Sequence, residues 1–142
     1  MLEGLIGGFA NCFEPFNLLL LFLGTFLGLL VGALPGLSSP MAIIILLPVT
    51  YSLDPLPALL TMIGVYVGTK LGGSFSAILL RTPGTPAGAC TALDGFPMAE
   101  KGQSALALGY ATYSSFFGGA TSWIIAVTVS YTHLRAHETG YN

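Results

Sequence analysis

From Pro15 to Leu53 the chain carries no charged residue, and leucine, phenylalanine and isoleucine dominate it. Apolar runs of roughly 20 residues are long enough to cross a bilayer as a helix, and residues 16–34 form one such span. Residues 40–53 follow with Ile43, Ile44, Ile45, Leu46 and Leu47, but they are short for a full crossing. Pro48 removes a helical hydrogen bond there, so the pattern predicts a half-span or a tilted, kinked helix. Asp54-Pro55-Leu56-Pro57 reads as a turn with a helix start. Residues 58–80 are a second span and 104–129 a further one, with Tyr110, Tyr113 and Trp123 available for interfacial positions. Ahead of these, Leu2, Leu5, Ile6, Phe9 and Phe13 recur at helical spacing with Glu3 and Glu14 off the stripe. Residues 1–15 therefore read as a short interfacial helix, a disordered leader being the alternative. Met1-Leu2-Glu3-Gly4 lacks the basic start of a secretory signal, so the N-terminus is expected to be retained.

Two interruptions organise the pattern. The first, Leu34-Pro35-Gly36-Leu37-Ser38-Ser39-Pro40, lies within the uncharged stretch. The second, Thr82-Pro83-Gly84-Thr85-Pro86, opens the polar interval 81–103. That interval holds Arg81, Asp94, Glu100 and Lys101, yet its first half is small and uncharged. It reads as irregular chain tucked into protein at membrane depth rather than as a water loop. Each interruption follows a helix marked by glycines four apart: Gly24, Gly28, Gly32 and Gly36 before the first, Gly64, Gly68 and Gly72 before the second. Small residues at this spacing let helix backbones approach closely, so helix packing is their first reading.

Composition supports the membrane reading: 54% of the 142 residues are hydrophobic and 7% are charged, against about 25% charged in soluble domains. Lys70 falls within the second span. Its insertion penalty of roughly 2.5–3.5 kcal/mol is offset by the surrounding aliphatic and aromatic residues at about 0.3–0.6 each. The net charge of −2, with no basic cluster, argues against nucleic acid. Cys12 and Cys90 stand far apart and read as small buried hydrophobes. His133 and His137, four apart without a third ligand, make no metal site. Gly72-Gly73-Ser74-Phe75-Ser76 approaches a nucleophile elbow but lacks the last glycine and a histidine base, and no phosphate loop is present, so no enzyme is indicated. Residues 130–142 break the pattern abruptly, resemble translated adapter read-through, and are set apart as a non-native tail.

Proline withholds an amide and glycine admits unusual torsions, so each interruption ends a helix and frees carbonyls on one side and amides on the other. Free amides attract carboxylates, while free carbonyls coordinate Na⁺ or a proton carrier. Pro35, Gly36, Ser38, Ser39, Thr82, Gly84 and Thr85 are thus the candidate substrate or ion contacts, and Lys70 or Arg81 could complement an anion. A pair of ordinary turns between membrane helices is the simpler alternative. The fold class is all-α: a polytopic transmembrane helical protein with broken or re-entrant helices at two Pro-Gly elements.

Several stretches between Gly24 and Gly119 resemble the large membrane subunit of tripartite tricarboxylate transporters. They are residues 28–38, Leu46-Leu47-Pro48-Val49-Thr50, Gly72-Gly73-Ser74 through Leu80, Thr82-Pro83-Gly84-Thr85-Pro86, and Thr91-Ala92-Leu93-Asp94-Gly95-Phe96-Pro97-Met98-Ala99. The resemblance implies a multi-pass secondary transporter of a bacterial inner membrane, driven by a Na⁺ or H⁺ gradient and using no other cofactor. It implies carboxylate solutes, a small membrane subunit and a periplasmic solute-binding protein as partners. Family members are several times longer, with a second half that looks like a repeat of the first, so 16–129 would be the first part of a larger transporter domain. Asp94 is expected to cap a helix or to pair with Arg81 or Lys101. The positive-inside rule would place the interval between Arg81 and Lys101 in the cytoplasm. The competing function is a non-transporting assembly or anchoring module packed through its glycine stripes.

Overall fold

The computed structural model describes residues 2–84 and 86–138, with side-chain surroundings for 7–84 and 88–130. Among the described residues every regular element is a helix: α1 (Leu2–Cys12), α2 (Pro15–Ala33), α3 (Ser39–Thr50), α4 (Pro55–Leu80), α5 (Pro86–Glu100) and α6 (Ser104–Glu138). Proline stands in the first turn of α2, α3 and α4, where its missing amide costs nothing and its fixed φ suits the helix. The chain divides into two compact units, residues 1–108 and 109–142.

In the first unit, α2 and α4 form the spine, and the glycines explain how. A Cβ built on Gly24 would lie 2.5 Å from the Thr61 carbonyl oxygen. One on Gly28 would lie 2.8 Å from the Val65 Cα, and one on Gly32 2.6 Å from the Thr69 Cα. The relation is reciprocal, because Cβ atoms on Gly64, Gly68 and Gly72 would strike Leu21 O at 2.6 Å, Leu29 N at 2.8 Å and Ala33 N at 2.7 Å. Backbone thus lies against backbone, the packing that small residues permit. Both series climb together, so α2 and α4 run parallel.

Parallel packing fixes what lies between them. At 1.5 Å per residue, α2 rises about 28 Å, and the register brings the start of α4 to within roughly one turn of the start of α2. The chain must therefore return almost the full height of α2 before α4 begins. The 12 residues of α3 supply about 18 Å of that return, and the stretches on either side supply the rest. Pro48 sits inside α3, as the sequence suggested, and the helix continues through it to Thr50.

Burial is inverted relative to a soluble protein. The buried residues of α2 are Asn17, Gly24, Gly28 and Gly32, while Phe22 is 69% exposed on its outer side. Ile44 on α3 and Leu59 on α4 also face outward. Among the described residues, α2 and α4 are long and apolar enough to cross a membrane. The third expected span, 104–129, is helical and long enough. Its serines, threonines, glycines and tyrosines leave it less apolar than the other two. In the second unit α6 continues alone, with Tyr113 and Phe116 each ringed against Phe117 at 6.1 and 5.6 Å between centroids.

The interval 81–103 departs from expectation. From Pro86 to Glu100 it is helical, with irregular chain before it and a short turn at 101–103 after it. Proline at the first position and alanines at 87, 89, 92 and 99 favour a helix there. Asp94 lies inside α5, exposed, and so caps no helix start. Among the described residues it makes no ion pair with Arg81 or Lys101. Arg81 instead ends α4 in the left-handed region at φ 55°, its guanidinium 5.5 Å from the centre of the Phe96 ring.

Candidate functional site at the junction of two helix breaks

The break after α2 begins where Leu34 turns to extended torsions and its amide donates to the Val31 carbonyl. Gly36 follows at φ 92°, and the Leu37 amide donates to the Leu34 carbonyl at 3.3 Å. Gly36 is a torsion glycine: nothing lies within 4 Å of a Cβ built on it. Ser38 is the N-cap of α3, extended at φ −89°, and its side chain makes no capping bond.

The start of α3, like those of α2 and α4, carries no side-chain cap. The first intrahelical bond is from the Ala42 amide to the Ser38 carbonyl. The amides of Ser39 and Met41 therefore have no acceptor within the helix, and Pro40 has none to offer. Ser39 is 1% exposed and its Oγ has no hydrogen-bond partner. The other buried hydroxyls behave differently. Thr50, Thr61, Thr69 and Ser76 each donate to a carbonyl one turn back in their own helix. Ser39, at the first helical position, has no such turn behind it.

The second break reaches the first. A Cβ on Gly84 would lie 3.4 Å from the Leu37 carbonyl oxygen, so the two Pro-Gly elements, far apart in sequence, meet in the fold. Both abut the end of α4. Residues 73–80 run past the last residue of α2, and there Gly73, Ser76, Ala77 and Ile78 are buried. α5 covers part of this stretch: Cβ atoms on Gly88 and Gly95 would lie 3.6 Å from Gly73 O and 2.6 Å from Ile78 Cγ1. α5 thus lies along one uncharged segment of α4, and the turn that leads into α3 meets the second break through the Leu37 carbonyl; a helix start carries a partial positive charge that favours an anion.

Not every expected contact joins the junction. Pro35 and Thr82 are exposed, Ser38 and Gly84 are half-buried, and Thr85 lies outside the described residues. Lys70 is exposed on the outer side of α4, with its ammonium 5.2 Å from the Tyr66 ring centre. The packing glycines Gly24, Gly28, Gly32, Gly64, Gly68 and Gly72 all lie in the α2–α4 contact. The role of the Leu37 carbonyl was not readable from the sequence, because a backbone oxygen leaves no residue signature.

A family model described as the tripartite tricarboxylate transporter TctA family matches residues 18–136, which include both breaks and the helices around them. The chain belongs to this family. The match runs through most of α6 and into the segment set apart by composition. A relative described as an uncharacterized 52.8 kDa protein in the TAR-I ttuC′ 3′ region of Agrobacterium vitis is 39% identical over 125 residues. That alignment takes in 88% of this chain and 25% of the relative, so the chain spans about a quarter of the relative's length. No solved structure matches.

Proposed function

We propose that this chain is the first part of a larger membrane subunit, multi-pass in a bacterial inner membrane, of a secondary transporter for tricarboxylates or related carboxylates. The observation that carries the reading is the meeting of Gly84 with the Leu37 carbonyl beside the bare start of α3. Broken helices are excluded from lipid unless protein or a wet cavity satisfies their ends, and converging ends are how secondary transporters hold solutes and ions. Pro35, Gly36, Ser38, Ser39, Thr82, Gly84 and Thr85 border the solute path. A Na⁺ or H⁺ site among the freed carbonyls couples solute movement to the gradient, and a periplasmic binding protein and a small membrane subunit complete the assembly. Catalysis plays no part in this reading. α2 and α4 cross the bilayer in the same direction, and α3 with its flanking turns crosses back.

Gly84→Val in a complete subunit carrying this segment tests it. The added methyls meet the Leu37 carbonyl, so citrate uptake into proteoliposomes is lost while the amount in the membrane is unchanged. Unaltered uptake rejects the junction as the path.

The glycine contact favours a second reading on its own, a module that only anchors other helices. Thermal stability of the purified protein with and without citrate, succinate and Na⁺ separates the two, since a solute bound only by the folded form raises its melting temperature.

A further inference from the structure

We infer that the open start of α3 seats one carboxylate of the transported anion, with the Ser39 hydroxyl as the donor that fixes it. The inference rests on the transport reading above and assigns the anion to one of the helix ends gathered at the junction.

A buried hydroxyl without a partner forfeits the hydrogen bond it would have made to water, so such groups are rare and ask for an explanation. Among the described residues of the first unit, every other buried hydroxyl is satisfied by its own helix, whereas Ser39 Oγ is left over. Side chains lean toward the N-terminus of their helix, so a hydroxyl at the first position lies with the Ser39 and Met41 amides rather than away from them. Three donors therefore gather at one end of a 12-residue helix, with no side-chain cap occupying them.

The sign of the ligand follows from the surroundings. A helix start carries about half a positive charge, which repels a cation and attracts a carboxylate. The other buried polar atom without a partner, Asn17 Oδ1, makes the contrast. It sits at the opposite end of the spine, where the Asn17 amide donates to the Asn11 carbonyl at 2.7 Å and reaches the Glu14 carboxylate at 3.5 Å. The atom left over there is an acceptor, next to the Glu14 carboxylate, so it does not suit an anion. Ser39 is covered in the structure, so the seat is closed. The alternating exposure of a transport cycle uncovers it from the side of the exposed Pro35 and Gly36.

The test is citrate titration of the purified complete subunit, followed by melting temperature. Ser39→Ala raises the half-saturating citrate concentration about tenfold or more, the loss expected for one hydrogen bond to a charged group. Ser52→Ala, whose hydroxyl donates to the Val49 carbonyl away from the junction, leaves it unchanged. If Ser39→Ala also lowers the unliganded melting temperature, Ser39→Cys keeps the shape of the side chain, with a slightly larger atom and a weaker donor, and must still shift the titration. An unshifted titration in that variant overturns the assignment, as does stabilisation by sulfate equal to that by citrate. If neither citrate nor succinate stabilises the unaltered protein, the transport reading fails and this inference with it. If both do, and Ser39→Ala titrates normally, only the role of Ser39 is lost.

Discussion

Gly28, Gly36 and Gly118 are the same residue type in three different settings. At Gly28 the limit is space, because a Cβ would enter the Val65 backbone, which cannot move aside as a side chain could. Gly28→Ala therefore costs about 1–3 kcal/mol of stability, the usual cost of overpacking. At Gly36 there is space but the torsion is wrong for other residues, and alanine there costs roughly 1–2 kcal/mol through strain. At Gly118 neither limit applies, since nothing lies within 4 Å and the site is in the body of α6. Alanine there gains up to about 1 kcal/mol in helix propensity. Denaturant titration in detergent of the three variants checks the order, and equal effects would contradict it. The stripes were legible in the sequence because four-residue spacing has one geometric meaning. The division of labour among the glycines was not, since space and torsion both read simply as glycine.

At the scale of elements, the bounds of α2 and α4 follow closely from apolar length and proline position, whereas α5 was hidden. Its prolines and glycines suggested irregular chain, while its alanines and its N-terminal proline decide for a helix. The direction of α2 against α4 was also beyond the sequence, because a glycine stripe marks a face and says nothing of the sense in which two faces meet. Parallel packing has a direct check. With Cys12 and Cys90 replaced, Leu21→Cys and Thr61→Cys are bridged by a short bifunctional thiol reagent. Leu21→Cys and Ser76→Cys, the pair an antiparallel arrangement would bring together, are not. The return of α3 makes a second expectation. Glu14→Cys and Ser52→Cys react with an impermeant label from the same side of the membrane, and labelling from opposite sides would show that α3 does not cross.

Among the described residues of the first unit, mostly small and polar groups are buried while many large apolar groups are exposed, the reverse of packing driven by water. Composition made the membrane setting legible, and the Pro-Gly motifs made the breaks legible. That the breaks touch required the fold, since no sequence rule relates Leu37 to Gly84. The outward face of α2 carries an expectation of its own. Phe22→Asp places a charge at the middle of the span and costs about 2.5–3.5 kcal/mol of insertion, whereas Phe22→Leu is nearly neutral. A glycosylation-based insertion assay reads the difference, and equal insertion would mean that this face does not meet lipid.

The direct seating of α2 on α4 has a mechanical corollary. Main chain pressed on main chain leaves no rotamers between the two rods to rearrange, so they travel as one stiff plate. Under the transport reading proposed above, any movement of other helices relative to that plate falls on the breaks at 34–38 and 81–84, where the regular helices end.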